Sequence, residues 1–137
     1  MNADLIAGGL SPLSPESAAI AAGRLFLKEL DRLAAHRADF AFESTLSGLG
    51  YVSRLKRWKM AGYRVEIIYL MLPSSRIALR RIASRVKQGG HRIPKADVVR
   101  RFRRSRENFK GIYQPIADAW MIYDNSGDQA ILIEEGP

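Results

Sequence analysis

The sequence predicts an α/β fold with a mostly parallel sheet and flanking helices, and three observations carry that prediction. Val65 to Leu72 is an apolar run broken only by Glu66 and stopped by Pro73, which reads as a strand. Short apolar runs alternate along the chain with segments of helical periodicity, which implies βαβ units joined in a parallel sheet. The length of 137 residues suits a single domain spanning residues 1–137, large enough to bury a core.

After Met1 to Asp4, the segment GGLSPLSPES supplies turn residues. Ser14 is the expected N-cap of the first helix, with Pro15 at its first helical position. Ile20, Leu27 and Leu30 give that helix an apolar face as far as His36. Phe40 to Phe42 reads as a short buried strand ending on Glu43, Ser44 and Thr45. Tyr51, Leu55 and Trp58 space the next helix, and Gly62 suits its C-terminal cap. Beyond the Val65–Leu72 strand, Ser74 caps a helix with Ile82 and Val86 inward and Arg80, Arg81 and Arg85 further round. In the helix after Pro94, Val98, Phe102, Phe109 and Tyr113 recur at intervals of four, seven and four, so they share one face, with Arg100, Arg103 and Arg104 roughly opposite. A bend is expected near Pro115. Met121–Tyr123 and Ala130–Ile133 are the last two strands, separated by the turn Asp124-Asn125-Ser126-Gly127. Trp58 and Trp120 read as core or partly buried residues.

Composition narrows the function classes. The net charge is +8, from 22 Lys and Arg against 14 Asp and Glu, and favours polyanionic partners such as nucleotides, nucleic acid or an acidic protein. The absence of cysteine removes disulfides, thiol catalysis and zinc-thiolate sites. His36 and His91 stand too far apart in sequence to suggest a metal pair, so no metal site made of protein ligands is expected. No apolar stretch approaches the roughly 18 residues of a membrane span, so no membrane partner is expected. The N-terminus lacks the pattern of a secretory leader, so the expected location is cytoplasmic.

The charge is concentrated between Arg85 and Asn108. This cationic segment, residues 85–108, holds nine Lys or Arg and His91 against Asp97 and Glu107, and is split by Gly89-Gly90 and Pro94. Guanidinium groups stay protonated and present a planar fork that matches phosphate oxygens, so such an arm suits a closing phosphate clamp. A charge run on a helix also reads as a solvated face. In parallel α/β sheets, ligands bind beyond the carboxyl ends of the strands. That rule selects Asp4, Glu43, Ser44, Thr45 and Asn125.

The blocks NADLIAGGLSP, FAFESTLSG, AGYRVEIIYL, RVKQGGHRIP, VVRRFRRSRENF and YDNSG, in this order, resemble the zeta-toxin-like P-loop kinases, a group also described as predicted ATPases. The resemblance runs nearly end to end. It implies a nucleotide-kinase-like α/β sandwich and transfer of the ATP γ-phosphate to a hydroxyl, with UDP-N-acetylglucosamine as the acceptor of the best-studied members. By position, Asp4 resembles the acidic residue that activates the acceptor hydroxyl, with an N-cap or loop aspartate as the local alternative. Glu43 and Thr45 resemble residues that hold the acceptor. Arg85, His91 and Arg92 resemble lid positions that neutralise the transferred phosphate, with His91 and Arg92 as alternatives for one role. Arg100, Arg101, Arg103 and Arg104 belong to the same block, and one or two of them are expected to face nucleotide phosphates. Asn125 is explained by turn chemistry or by a place near the adenine. ATP and Mg2+ are the expected nucleotide and ion, and an antitoxin is an expected partner.

One departure qualifies this. The chain contains no G-x-x-x-x-G-K-[ST] and no Gly-Lys dipeptide. That loop would supply the N–H cradle for phosphates, the lysine, and the hydroxyl that holds Mg2+. The resemblance therefore implies a kinase-like fold lacking its first strand, P-loop and first helix, with weak ATP binding and self-association through an incomplete sheet. Two readings from other classes compete: a basic nucleic-acid-binding protein using the arginine helix, and a non-catalytic interaction module of a toxin–antitoxin system.

Overall fold

A computed structural model describes residues 1–89 and 93–137. The chain falls into two compact units, Met1–Ser44 and Thr45–Pro137.

The first unit is helical. Helix α1, Ala3–Leu10, is followed by a 3-10 turn at Pro15–Ala18 and by α2, Ala19–Ala35. Gly8 to Leu10, expected among turn residues, belong to α1 instead. Asn2, in extended conformation, caps α1 by accepting from the Asp4 N–H, and burial of Ala7 offsets the cost of two glycines in the last turns. Asp4 thus lies inside the first turn of a helix, neither as its cap nor in a loop, where its charge suits the helix dipole. Ser14 acts through its main chain, its carbonyl accepting from the Ser17 N–H and Oγ, and α2 starts at Ala19 without a side-chain cap. The inward stripe of α2 is Ala22, Phe26 and Leu30, at intervals of four. Ile20 lies about 200° round the helix from Ala22 and is exposed.

Phe40 to Phe42 is not a strand; it is coil. Its main chain bonds to the start of α1 instead: the Met1 amine donates to the Ala41 carbonyl at 2.6 Å, and the Glu43 N–H donates to the Met1 carbonyl at 2.9 Å. The apolar character of the run serves packing, since Phe42 meets Phe26 edge to face at 6.0 Å.

The second unit contains a three-stranded sheet in the order β1 (Glu66–Met71), β2 (Ala119–Asp124), β3 (Ile131–Gly136). Strands β1 and β2 are parallel, joined through α4 (Ser75–Lys87), α5 (Lys95–Asn108) and a π-helical turn at Phe109–Tyr113. Strand β3 is antiparallel to β2, with a register shift between Ile122 and Tyr123. The α/β class is therefore as expected, with one parallel and one antiparallel pair. Helix α3, Val52–Met60, precedes β1 and ends in a Schellman arrangement: the Tyr63 N–H reaches the Trp58 carbonyl, the Gly62 N–H reaches Lys59, and Gly62 takes φ +93°. Ser74 precedes α4 without a side-chain cap.

Val98, Phe109 and Tyr113 are buried along the predicted face, Leu55, Trp58, Val65 and Ile122 are buried as well, and Ile82 and Val86 are half-buried. Phe109 stacks on Tyr69 at 4.3 Å and meets Trp120 edge to face at 6.4 Å. Opposite Trp120 in the ladder stands Gly136, where a Cβ would lie 2.6 Å from the indole ring. The open ends of β1 and β2 are tied by Asp118, whose carboxylate accepts from the Val65 N–H at 2.8 Å and pairs with Lys59 at 2.9 Å. Those two donors, the Val65 amide first, hold the Asp118 carboxyl below the usual range. On β1 the alternate side chains Ile68 and Leu70 remain 61% and 54% exposed. Among the described residues, no helix is long and apolar enough to cross a membrane.

Candidate functional site

The predicted site residues divide between the two units, and each unit builds its own part. In the first, Asn2 connects two of them. Its Oδ1 accepts from the Asp4 N–H at 2.8 Å, and its Nδ2 donates to Glu43 Oε2 at 2.8 Å. Asp4 and Glu43 are both exposed, so both carboxylates are open to a ligand.

In the second unit, Thr45 opens a tight loop. Its Oγ1 lies 2.8 Å from Ser47 Oγ and accepts from the Ser47 N–H at 3.4 Å. Between them Leu46 takes φ +53°, a left-handed conformation uncommon for a leucine. Two donors hold the loop from outside. Asn108 Nδ2, at the end of α5, donates to the Leu46 carbonyl at 2.9 Å, and the Tyr113 hydroxyl donates to the Gly48 carbonyl at 2.6 Å. Tyr113 is fully buried, and burial pushes its phenol upward from the ordinary value. The end of the arginine helix is thus fastened to the loop that carries Thr45.

The cations of α5 are not equivalent. Arg100 pairs with Asp97 at 2.7 Å and Arg103 with Glu107 at 3.6 Å. Arg101 and Arg104 are exposed and have no acidic partner among the described residues, which leaves them freer to meet an anion. Arg85 lies exposed in the last turn of α4. Leu79, Lys95, Ala96, Val99, Arg100 and Arg103 line a mostly apolar groove of about 590 Å³ between α4 and α5. His91 and Arg92 lie outside the described residues. Asn125 donates its N–H to the Met71 carbonyl, and Asp124 Oδ1 accepts from the Ser126 N–H, so a turn role accounts for this segment.

Three residues that shape these parts escape a reading from sequence. In sequence, Asn108 is only the end of the cationic segment and Tyr113 only part of an apolar helix face. Asn2 carries a local signal, a capping residue type just before an apolar stretch, but its second bond reaches across 41 positions.

Comparison with known proteins places the chain in a family. The family model for zeta toxin matches residues 14–136, a span that contains Glu43, Thr45 and the cationic helices and begins after Asn2 and Asp4. An uncharacterized protein of Haemophilus influenzae (strain ATCC 51907 / DSM 11121 / KW20 / Rd) is 36% identical over 100 residues, covering 73% of this chain and 71% of the relative. No solved structure matches. With nine-tenths of its length matched by that family model, the chain belongs to the zeta toxin family.

Proposed function

We propose that this chain is a zeta-toxin-like phosphotransferase domain, or its remnant, whose chemistry is transfer of the ATP γ-phosphate to a hydroxyl of a small molecule, with UDP-N-acetylglucosamine as the family's example. The family match across residues 14–136 carries this reading. Asp4 accepts a hydrogen bond from the acceptor hydroxyl and orients it. Glu43 and Thr45 hold the acceptor through its hydroxyl groups. Arg85, with His91 or Arg92, neutralises charge on the transferred phosphoryl group, and Arg101 and Arg104, which have no acidic partner among the described residues, assist.

The phosphate-donor side is the weaker half. These 137 residues contain no Gly-Lys-Ser/Thr loop, and among the described residues no group of three His, Cys, Asp or Glu is placed to hold a metal ion. The loop hydroxyl that would hold Mg2+ beside the substrate phosphates is lacking in these residues, so they do not supply its expected protein ligand. Impaired ATP binding by these residues follows from the same lack of an N–H cradle and lysine.

Calorimetric titration with the two ligands tests both halves. UDP-N-acetylglucosamine should bind, and Glu43→Ala or Thr45→Ala should weaken it about three- to tenfold, the range of one hydrogen bond to a polar ligand. ATP should bind more weakly than micromolar. Micromolar ATP affinity overturns the impairment, and unchanged acceptor binding in both variants overturns the acceptor site. The exposed Arg101 and Arg104 also support a second reading, nucleic-acid binding, which would appear instead as affinity for DNA or RNA that falls steeply with salt and ignores both ligands.

A further inference from the structure

We infer that Asn2 is a positioning residue for the acceptor site, holding the start of the Asp4 helix and the Glu43 carboxylate in one geometry. This rests on the acceptor-site reading above and extends it to a residue outside the matched family span.

The chemistry of the two bonds singles out asparagine. One partner is a main-chain N–H, which can only donate; the other is a carboxylate, which accepts when ionised. A residue bridging them needs an acceptor and a donor on one short, rigid side chain. Ser, Thr, Asp and Asn all cap helices well, and of these only Asn also presents an N–H2 group. Asp would place an acceptor against each partner and repel Glu43. A hydroxyl sits one atom closer to its backbone and cannot span both partners as the planar amide does.

The surroundings prepare the same contact. The Met1 amine and carbonyl are bonded to Ala41 and Glu43, so the main chain already sets residue 2 beside residue 43. The Asn2 side chain is half-buried, whereas the Glu43 side chain that it holds is exposed. An exposed hydrogen bond of this kind adds little to stability, because water competes for both partners. Its larger consequence is orientation: a carboxylate that would otherwise sample several rotamers is kept to one, so less freedom is lost when a ligand binds.

Asn2→Asp separates the two duties, since it keeps the helix cap and removes the link to Glu43. In isotope-labelled protein, NMR should show unchanged amide protection along α1 while the Glu43 side-chain carboxyl signal moves to the position of a free glutamate. Adding Glu43→Gln to Asn2→Asp reverses donor and acceptor, and should restore a single ordered side-chain signal at residue 43. With UDP-N-acetylglucosamine as the probe, Asn2→Asp should lower affinity about three- to tenfold, the worth of one ordinary hydrogen bond, and should add nothing in a Glu43→Ala background.

A Glu43 signal unmoved by Asn2→Asp overturns the proposal. So does an affinity loss that persists undiminished beside Glu43→Ala, because Asn2 would then act without Glu43. If the unmodified chain takes up none of the probe, the acceptor reading fails for that compound, and the Glu43 carboxyl signal alone decides the role of Asn2.

Discussion

Glu43 and Thr45 stand two residues apart in one sequence block, yet the two are secured by different means. Glu43 belongs to the helical unit and is held from the side by one half-buried amide through an exposed hydrogen bond, with main-chain bonds joining Glu43 and Ala41 to Met1 behind it. Thr45 opens the sheet-containing unit, in a loop held by Asn108 and by a tyrosine with no exposed surface. A buried anchor makes its loop part of the core, so stability and position are lost together. An exposed anchor directs a side chain at little cost to the fold, so position can be changed alone. Polar groups offered to ligands can be held either way, and the two ends of this block use one each.

Tyr113→Ala should produce the largest effect, because it empties a fully buried site and frees the Gly48 carbonyl. A loss of about 3–5 kcal/mol in denaturant unfolding is expected. A loss below that of Asn2→Ala would break the comparison. Asn108→Ala should cost less, about 1–2 kcal/mol, by leaving the half-buried Leu46 carbonyl without that donor and loosening a residue already in a left-handed conformation. Asn2→Ala should cost about 1 kcal/mol, the worth of a lost helix cap. Asn2→Asp should leave thermal stability within about 0.5 kcal/mol of the unmodified protein, since the cap survives.

The smallest effect is a slope with pH. The Asp118 carboxyl is held below its ordinary value of 3.8 by the Val65 amide and then by Lys59. The unfolded chain therefore binds the proton more readily, so this stabilisation is complete above the ordinary value and is lost as pH falls through the folded one. Acid unfolding of Asp118→Asn should lack that contribution, and an acid limb identical to that of the unmodified protein would remove Asp118 from the set of structural locks.

Local chemistry made much of the fold legible. The Val65–Leu72 run ended at Pro73 because proline cannot continue the ladder, and Gly62 marked a helix end because its left-handed φ closes the Schellman turn. The face of Val98, Phe109 and Tyr113 followed from spacing alone. Phe40 to Phe42 misled because a short apolar run looks the same whether it joins a sheet or packs against a helix, and here Phe42 meets Phe26. Helix α1 was hidden by Gly8 and Gly9, whose low propensity is outweighed by the cap and by packing of Ala7.

By itself, then, the sequence determined the α/β class, the cationic character of α4 and α5, and the family resemblance, because residue type, period and motif order are local properties. Only the tertiary structure decided that Asn2 reaches Glu43, that Asn108 and Tyr113 hold the Thr45 loop, and that Arg100 and Arg103 are committed to neighbouring acids while Arg101 and Arg104 are not. The physical reason is common to the first two. A hydrogen bond between residues 41 or 62 positions apart depends on where the packed core delivers each side chain, and no window of sequence contains both partners.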